Sequence, residues 1–184
     1  PYRQGLDSNH YHVFDRAQAN RRALYREANV ARETELAELE QQYQKIIGAQ
    51  TVTFRGQEYT PAQMAPFYEE TDRGLREEAW RLVAERRLKD RDALDELFDR
   101  MLRLRREIAR EAGFDSYTAY SYRNRERFDY GPDEVGRFRD AIEAVVVPLT
   151  RDIQEQRRQT LGIDALRPWD LSVDPLGRTP LRPF

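Results

Sequence analysis

No cysteine occurs among the 184 residues, which removes disulfides, thiol nucleophiles and thiolate metal sites at once. A cysteine-free chain suits a reducing compartment, and the expected location is the cytoplasm. Histidine is nearly as scarce, with only His10 and His12. No apolar run approaches the roughly 18 residues of a membrane span, and no signal peptide opens the sequence as given. Neither charge sign dominates: 31 basic and 33 acidic residues leave a formal net charge of −2. Such balance exerts no overall pull on nucleic acid or an anionic membrane. Basic blocks with interleaved aromatics are missing too, so neither nucleic acid nor membrane is an expected partner. Serines 8, 116, 121 and 172 lie in no G-x-S-x-G context, and there is no Gly-rich phosphate loop.

What remains is a polar chain rich in aromatics. Charged residues make up 35 % and apolar ones 39 %, alongside ten Tyr, eight Phe and two Trp. Long amphipathic helices suit that mixture, because each buries one stripe and solvates the rest. The ends read as cut: Pro1 opens the sequence, and Leu181-Arg182-Pro183-Phe184 closes it without a closing element. The expectation is a segment of a longer chain.

The fold class expected is mainly α, with long antiparallel helices and one short β-hairpin near residues 51–60. Phe14, Ala17, Leu24, Ala28, Ala31, Leu36, Leu39, Tyr43 and Ile47 predict one helix from His10 to Ile47, about 55 Å long. Gly48 is expected to stop it in a left-handed conformation. Thr51–Phe54 and Glu58-Tyr59 flank a Gly56 turn and read as the hairpin. Thr60, Pro61 and Gln63 form a capping-box start for a short helix. Thr71-Asp72 restarts the chain into a helix carrying Leu75, Ala79, Leu82 and Val83. Asp92 is read as the cap of the next, whose face is Leu94, Leu97, Phe98, Met101, Leu102, Leu104 and Ile108. Ala112-Gly113-Phe114 has the Schellman pattern, and a short helix follows around Tyr117–Tyr122. Pro132 starts the last long helix, with Val135, Phe138, Ile142, Val145, Leu149 and Ile153 as its expected buried stripe. Pro148 inside it should kink it by removing the bond to Ala144, and Gly162 should end it. Residues 1–163 thus read as a helical scaffold and 164–184 as a Pro-rich extended tail.

Few of these residues suggest chemistry. His10 and His12, two apart, would point about 200° apart on a helix, and a zinc site needs three or four ligands. Two exposed histidines at a helix start are the simpler reading. Arg76-Glu77-Glu78 and Arg105-Arg106-Glu107 read as solvated ion-pair faces. The Tyr117, Tyr120 and Tyr122 cluster could line a peptide groove or pack one helix on another, and Trp169 carries the same two readings.

Taken in order, the motifs resemble those of oligoendopeptidase F-like zinc metallopeptidases of the thimet oligopeptidase type. Arg73-Gly74-Leu75-Arg76-Glu77-Glu78-Ala79-Trp80 is similar to their D-R-x-x-R-E-E-A-W/Y segment. Met101–Arg105, Ile108-Ala109, Ala112-Gly113-Phe114 and Tyr117 are similar to M-L-x-L-R-x-x-I-A-x-x-A-G-F-x-x-Y. Arg127–Tyr130 with Pro132, then Val146-Val147-Pro148, continue the series. Leu166-Arg167-Pro168-Trp169-Asp170-Leu171 is the most distinctive match.

The resemblance implies one wall of a mostly helical peptidase with a channel for short peptides. It also implies a zinc held in the parent enzyme by an H-E-x-x-H helix and a downstream glutamate, with the motif Glu as general base. No His-Glu pair occurs in this chain, so no catalytic or metal residue and no cofactor is carried over to it. The tail would lead toward a missing catalytic region. Tyr117, Tyr120 and Trp169 remain as possible channel-lining residues. The implied partners are the parent's catalytic region and its short peptides. Apolar helix faces left uncovered would also favour self-association. Two functions follow: a non-catalytic portion of a zinc oligoendopeptidase, inactive alone, or a self-contained helical interaction module of the same ancestry.

Overall fold

Asp7 begins the first helix by accepting from the backbone N–H groups of Asn9 at 2.8 Å and His10 at 3.4 Å. The computed structural model describes residues 5–178, so the terminal Leu181–Phe184 stretch lies outside the described residues. Two compact units emerge: the chain up to Gln42 together with Glu96–Arg139, and Tyr43–Asp95 together with the residues from Asp140 on.

In the first unit the expected single long helix is two. Helix α1 spans Ser8–Leu24 and α2 spans Glu27–Gly48. Tyr25 between them is extended, at φ −62° and ψ 129°. Periodicity reports which face is buried, and it continues across the gap, so it could not reveal the break. Polar side chains make the break stable. The Arg26 guanidinium donates to the carbonyls of Ala23, Tyr25 and Ala112. On either side of it, buried Asn20 donates to the Arg123 carbonyl at 2.8 Å and buried Asn29 to the Ile108 carbonyl at 3.0 Å. Buried amides need such partners, and here each ties its helix to another. Phe14, counted in the expected stripe, is exposed.

Helix α4, Arg91–Glu111, starts one residue before the expected cap Asp92, which lies in its first turn. Its Leu97, Met101 and Leu104 pack on Leu39 of α2. Ile108, Ala109 and Ala112 form a second cluster with Leu24 and Tyr120. With Asn29 beside Ile108 and Leu39 among Leu97, Met101 and Leu104, α2 and α4 run antiparallel. The expected Schellman stop is present: Gly113 has φ 85°, and Phe114 N–H reaches the Ala109 carbonyl at 2.9 Å. Ser116 caps α5, Tyr117–Asn124, through the Ala119 N–H.

The second unit begins at Tyr43, in the last turns of α2. Gly48 is its last helical residue and is not left-handed, contrary to the expected stop. The end closes through Ala49 N–H to Lys45 and Gln50 N–H to Ile47. Strands β1, Val52–Phe54, and β2, Gln57–Tyr59, pair antiparallel with Val52 opposite Tyr59. Arg55 and Gly56 both have positive φ, the turn that matches strand twist. Val52 and Phe54 face a core of Met64, Ala79 and Val83. Thr60 and Gln63 exchange the expected capping-box bonds at 3.3 and 2.8 Å, ahead of a 3-10 turn over Ala65–Tyr68. Helix α3, Arg73–Leu88, is capped by Asp72.

Helix α6, Pro132–Ala141, continues through a π-turn at Ile142–Val146 into α7, Val147–Leu161. The Val147 N–H reaches back five residues to Ile142. Pro148 has no N–H to offer and its ring crowds the preceding turn, and one wide turn ahead of it absorbs the misfit. Gly162, at φ 65°, ends α7 as expected. The stripe expected to be buried is not: Phe138, Val145, Leu149 and Ile153 are each more than half exposed. Among the described residues, no helix is long and apolar enough to cross a membrane.

Gly113→Ala tests the cap. No neighbour would meet the new methyl, so the cost is conformational, about 1–2 kcal/mol for a left-handed Ala. Urea unfolding should show that loss; an unchanged midpoint would contradict the left-handed stop.

Candidate functional site

Two of the motif segments meet in the second unit. Asp72 starts α3 so that Arg73 and Arg76, three apart, lie on one face. The Pro-rich segment carries a 3-10 turn at Pro168–Asp170. Proline suits the first position of that turn, and the Asp170 side chain closes it by accepting from the Arg167 N–H at 3.0 Å. Asp170 is fully buried and Arg76 only 3 % exposed.

The carboxylate is saturated. Its Oδ1 accepts from Arg73 Nε at 3.0 Å and Arg76 Nη2 at 3.2 Å. Its Oδ2 accepts from Arg73 Nη2 at 2.9 Å and the Arg167 N–H. A carboxylate offers about four acceptor sites, and all are taken. Burial alone would push the Asp170 carboxyl up, but hydrogen bonds from Arg73, Arg167 and Arg76 outweigh it and hold it below the ordinary range. Arg76 also donates to the carbonyls of Trp169, Glu70 and Thr71. From α7, Arg157 donates to the carbonyls of Asp170 and Val173. With no free lone pair, Asp170 can neither ligate a metal nor take a proton from water without breaking this set. Its chemistry is structural.

Trp169 sits beside that clamp, buried, 5.5 Å from Trp80, with the Arg81 guanidinium 5.0 Å above its ring. Its indole N–H is buried without an acceptor among the described residues. Tyr117 and Tyr120 belong to the first unit. Tyr120 is buried in the cluster with Leu24 and Ile108, edge-on to Phe114 at 5.6 Å. Burial raises its hydroxyl pKa, and Glu33, which accepts from it at 3.5 Å, adds to the rise. Tyr117 is partly buried, with the Arg105 guanidinium 5.8 Å over its ring.

His10 and His12 are exposed on α1, and the His12 Nδ1 lies 2.9 Å from the Asn9 carbonyl. No cluster of three His, Asp or Glu side chains able to hold a metal occurs among the described residues. The residues present do not fit a zinc site. Arg76, expected on a solvated ion-pair face with Glu77 and Glu78, is buried instead, and the sequence assigns its partner Asp170 no role of its own. Their signal was a buried-type pairing of two motifs 94 positions apart, which one sequence cannot register.

Asp170→Asn replaces an acceptor by a donor against two guanidinium groups and should cost about 3–5 kcal/mol. Arg73→Gln strips two of the four bonds but leaves the Arg76 fork and the Arg167 N–H in place, and should cost about 1–3 kcal/mol. Urea midpoints at neutral pH separate the two, and equal losses would contradict the clamp. Since the folded carboxyl is held below its unfolded value of about 4, its contribution is complete above that pH. It is lost as pH falls through the folded value. Wild type should therefore lose stability on acidification by more than Asp170→Asn does.

Comparison with known proteins places this arrangement. No curated protein matches the chain significantly. Solved structures do. One, described as oligoendopeptidase F, is 28 % identical with a TM-score of 0.89, over 94 % of this chain and 31 % of that one. PZ peptidase A, solved with an inhibitor, is 25 % identical with a TM-score of 0.89 over the same shares. An oligoendopeptidase F from Bacillus anthracis str. Ames, at 22 % identity and TM-score 0.87, shares the fold. The chain spans about a third of the length of these structures. The sequence profile of peptidase family M3 matches residues 67–176, a stretch holding both halves of the Asp170 clamp, and the chain belongs to that family.

Proposed function

We propose that the chain is the non-catalytic helical portion of a zinc-dependent oligoendopeptidase that hydrolyses short peptides. The observation that carries this is the family match together with the sequence itself: an M3 profile spans residues 67–176, yet no His-Glu pair exists in the 184 residues. The zinc and the general base of the family then belong to parts of the parent enzyme outside this sequence.

The helix surfaces support the same reading. Val145 and Val146 in the π-turn and Leu149 and Ile153 on α7 are roughly half or more exposed. Spacings of three and four put them on one face, and α7 has no buried residue. An apolar row of this kind is a packing surface. In this reading the catalytic region of the parent covers it. The Asp170 clamp holds the Pro-rich segment at a defined place on α3, so the chain beyond it sets out from a fixed point. Tyr117, only partly buried, is the channel-lining candidate, while Tyr120 and Trp169 act beneath the surface. The peptidase operates in the cytoplasm in this reading.

The purified chain should neither bind zinc stoichiometrically nor cleave a quenched short peptide. Metal-dependent cleavage by this chain alone, abolished by a chelator, would overturn the proposal. Sedimentation should show the chain associating with rising concentration, and Leu149→Glu should reduce that association. A strictly monomeric chain would instead favour the self-contained module.

A further inference from the structure

A cavity of about 610 Å³ opens in the second unit, where the end of α2, the turn after β2, α3 and the start of α4 come together. Every residue lining it lies between Tyr43 and Asp95, so it belongs to that unit alone. Its volume falls within the roughly 300–1,000 Å³ of small-ligand clefts. Tyr43, Ile47, Pro61, Ala62 and Leu94 make its walls apolar. Gly48 also lines it, and a Cβ added there would meet nothing within 4 Å.

One polar group in these walls is held in a fixed orientation. Gln50 is only 2 % exposed, and its Nε2 donates to Asp90 Oδ2 at 2.8 Å. The same oxygen accepts from Arg86 Nη1 at 2.7 Å. An ionised carboxylate only accepts, so the Gln50 amide cannot turn its oxygen toward Asp90. That oxygen, Oε1, receives no hydrogen bond among the described residues. It is not sealed from solvent as the Asn20 amide oxygen is, and the cavity is the space that Gln50 lines.

An aimed acceptor beside apolar walls selects its ligand. A molecule without a donor would cover the oxygen and leave it unpaired, which is costly. A cation finds no carboxylate, because the one charged residue among those lining the cavity is Arg87, which makes no ion pair among the described residues. The Tyr43 ring, 43 % exposed, offers a flat face of the kind that aromatic rings pack against. We propose that this cavity binds a small uncharged aromatic molecule with a single N–H or O–H, an indole or a phenol. The donor meets Gln50 Oε1, and the ring lies against Tyr43, Ile47 and Leu94. Asp90 acts on the ligand only by orienting the Gln50 amide. This site stands apart from the Asp170 clamp and does not depend on the peptidase reading.

The test titrates the whole 184-residue chain with indole and with 1-methylindole, which keeps the ring but has no donor. Calorimetry gives the affinities, and the Gln50 side-chain amide resonances report the place. Indole should saturate with a Kd of about a millimolar or below, as a ligand of its size allows, and should shift the Gln50 signals. 1-Methylindole should bind about tenfold more weakly. Gln50→Met keeps the length of the side chain and removes the acceptor, so it should bind the two indoles alike. If its urea transition shows that this variant does not fold, the wild-type comparison decides alone. The proposal is overturned if indole does not saturate, or if it binds without moving the Gln50 signals. Equal wild-type affinity for the two indoles overturns it as well, and so does a preference for indole that survives in folded Gln50→Met.

Discussion

A carboxylate taken wholly out of water must be matched on every lone pair, and that requirement organises the second unit. Asp170 meets it with two arginines one helical turn apart and a backbone N–H of its own turn. Burying charge costs several kcal/mol per ion before any attraction is counted, so a partly made clamp would be worse than none. The arrangement is consequently specific. Arg76 must lie where its fork reaches the carbonyls of Trp169, Glu70 and Thr71 as well. That fixes the turn at Pro168–Asp170 against the start of α3. The tilted contact of Trp80 with Trp169 and the Arg81 guanidinium over the Trp169 ring follow from the same placement.

Local rules made much of the fold legible. The Gly113 and Gly162 stops, the capping box of Thr60 and Gln63 and the Arg55-Gly56 hairpin turn depend only on neighbouring residues, and each stands where the sequence puts it. Failures came where distant partners decide. The break at Tyr25 is stabilised by Arg26, Asn20 and Asn29 reaching carbonyls some eighty to a hundred residues away. Gly48 stays right-handed because the helix closes on Lys45 and Ile47 instead. The last stripe has the right period for a buried face, but periodicity cannot name the surface that buries it. Proline at 148 was readable as a disturbance; that one π-turn would absorb it was not.

The site was legible in a different way. Resemblance located Arg73, Arg76, Trp169 and Asp170 within motifs, but the sequence put Arg76 on a solvated face, offered Trp169 as channel lining and gave Asp170 no physical task. Geometry supplies one, and it is architectural. The tyrosines divide similarly: Tyr120 is core, while Tyr117 keeps part of its surface. In this chain the two motif segments share a purpose that needs no reactive group: they hold the Pro168–Asp170 turn against α3.

Asp170 and Arg76 act as one unit. A double-mutant cycle over Asp170→Asn and Arg76→Gln, read by urea unfolding of the purified chain, measures this directly. The clamp predicts a double mutant far less damaged than the sum of the single losses, with a coupling in the upper part of the roughly 0.5–3 kcal/mol range for contacting residues. Strictly additive losses would show that the two side chains stabilise the fold independently and that there is no clamp.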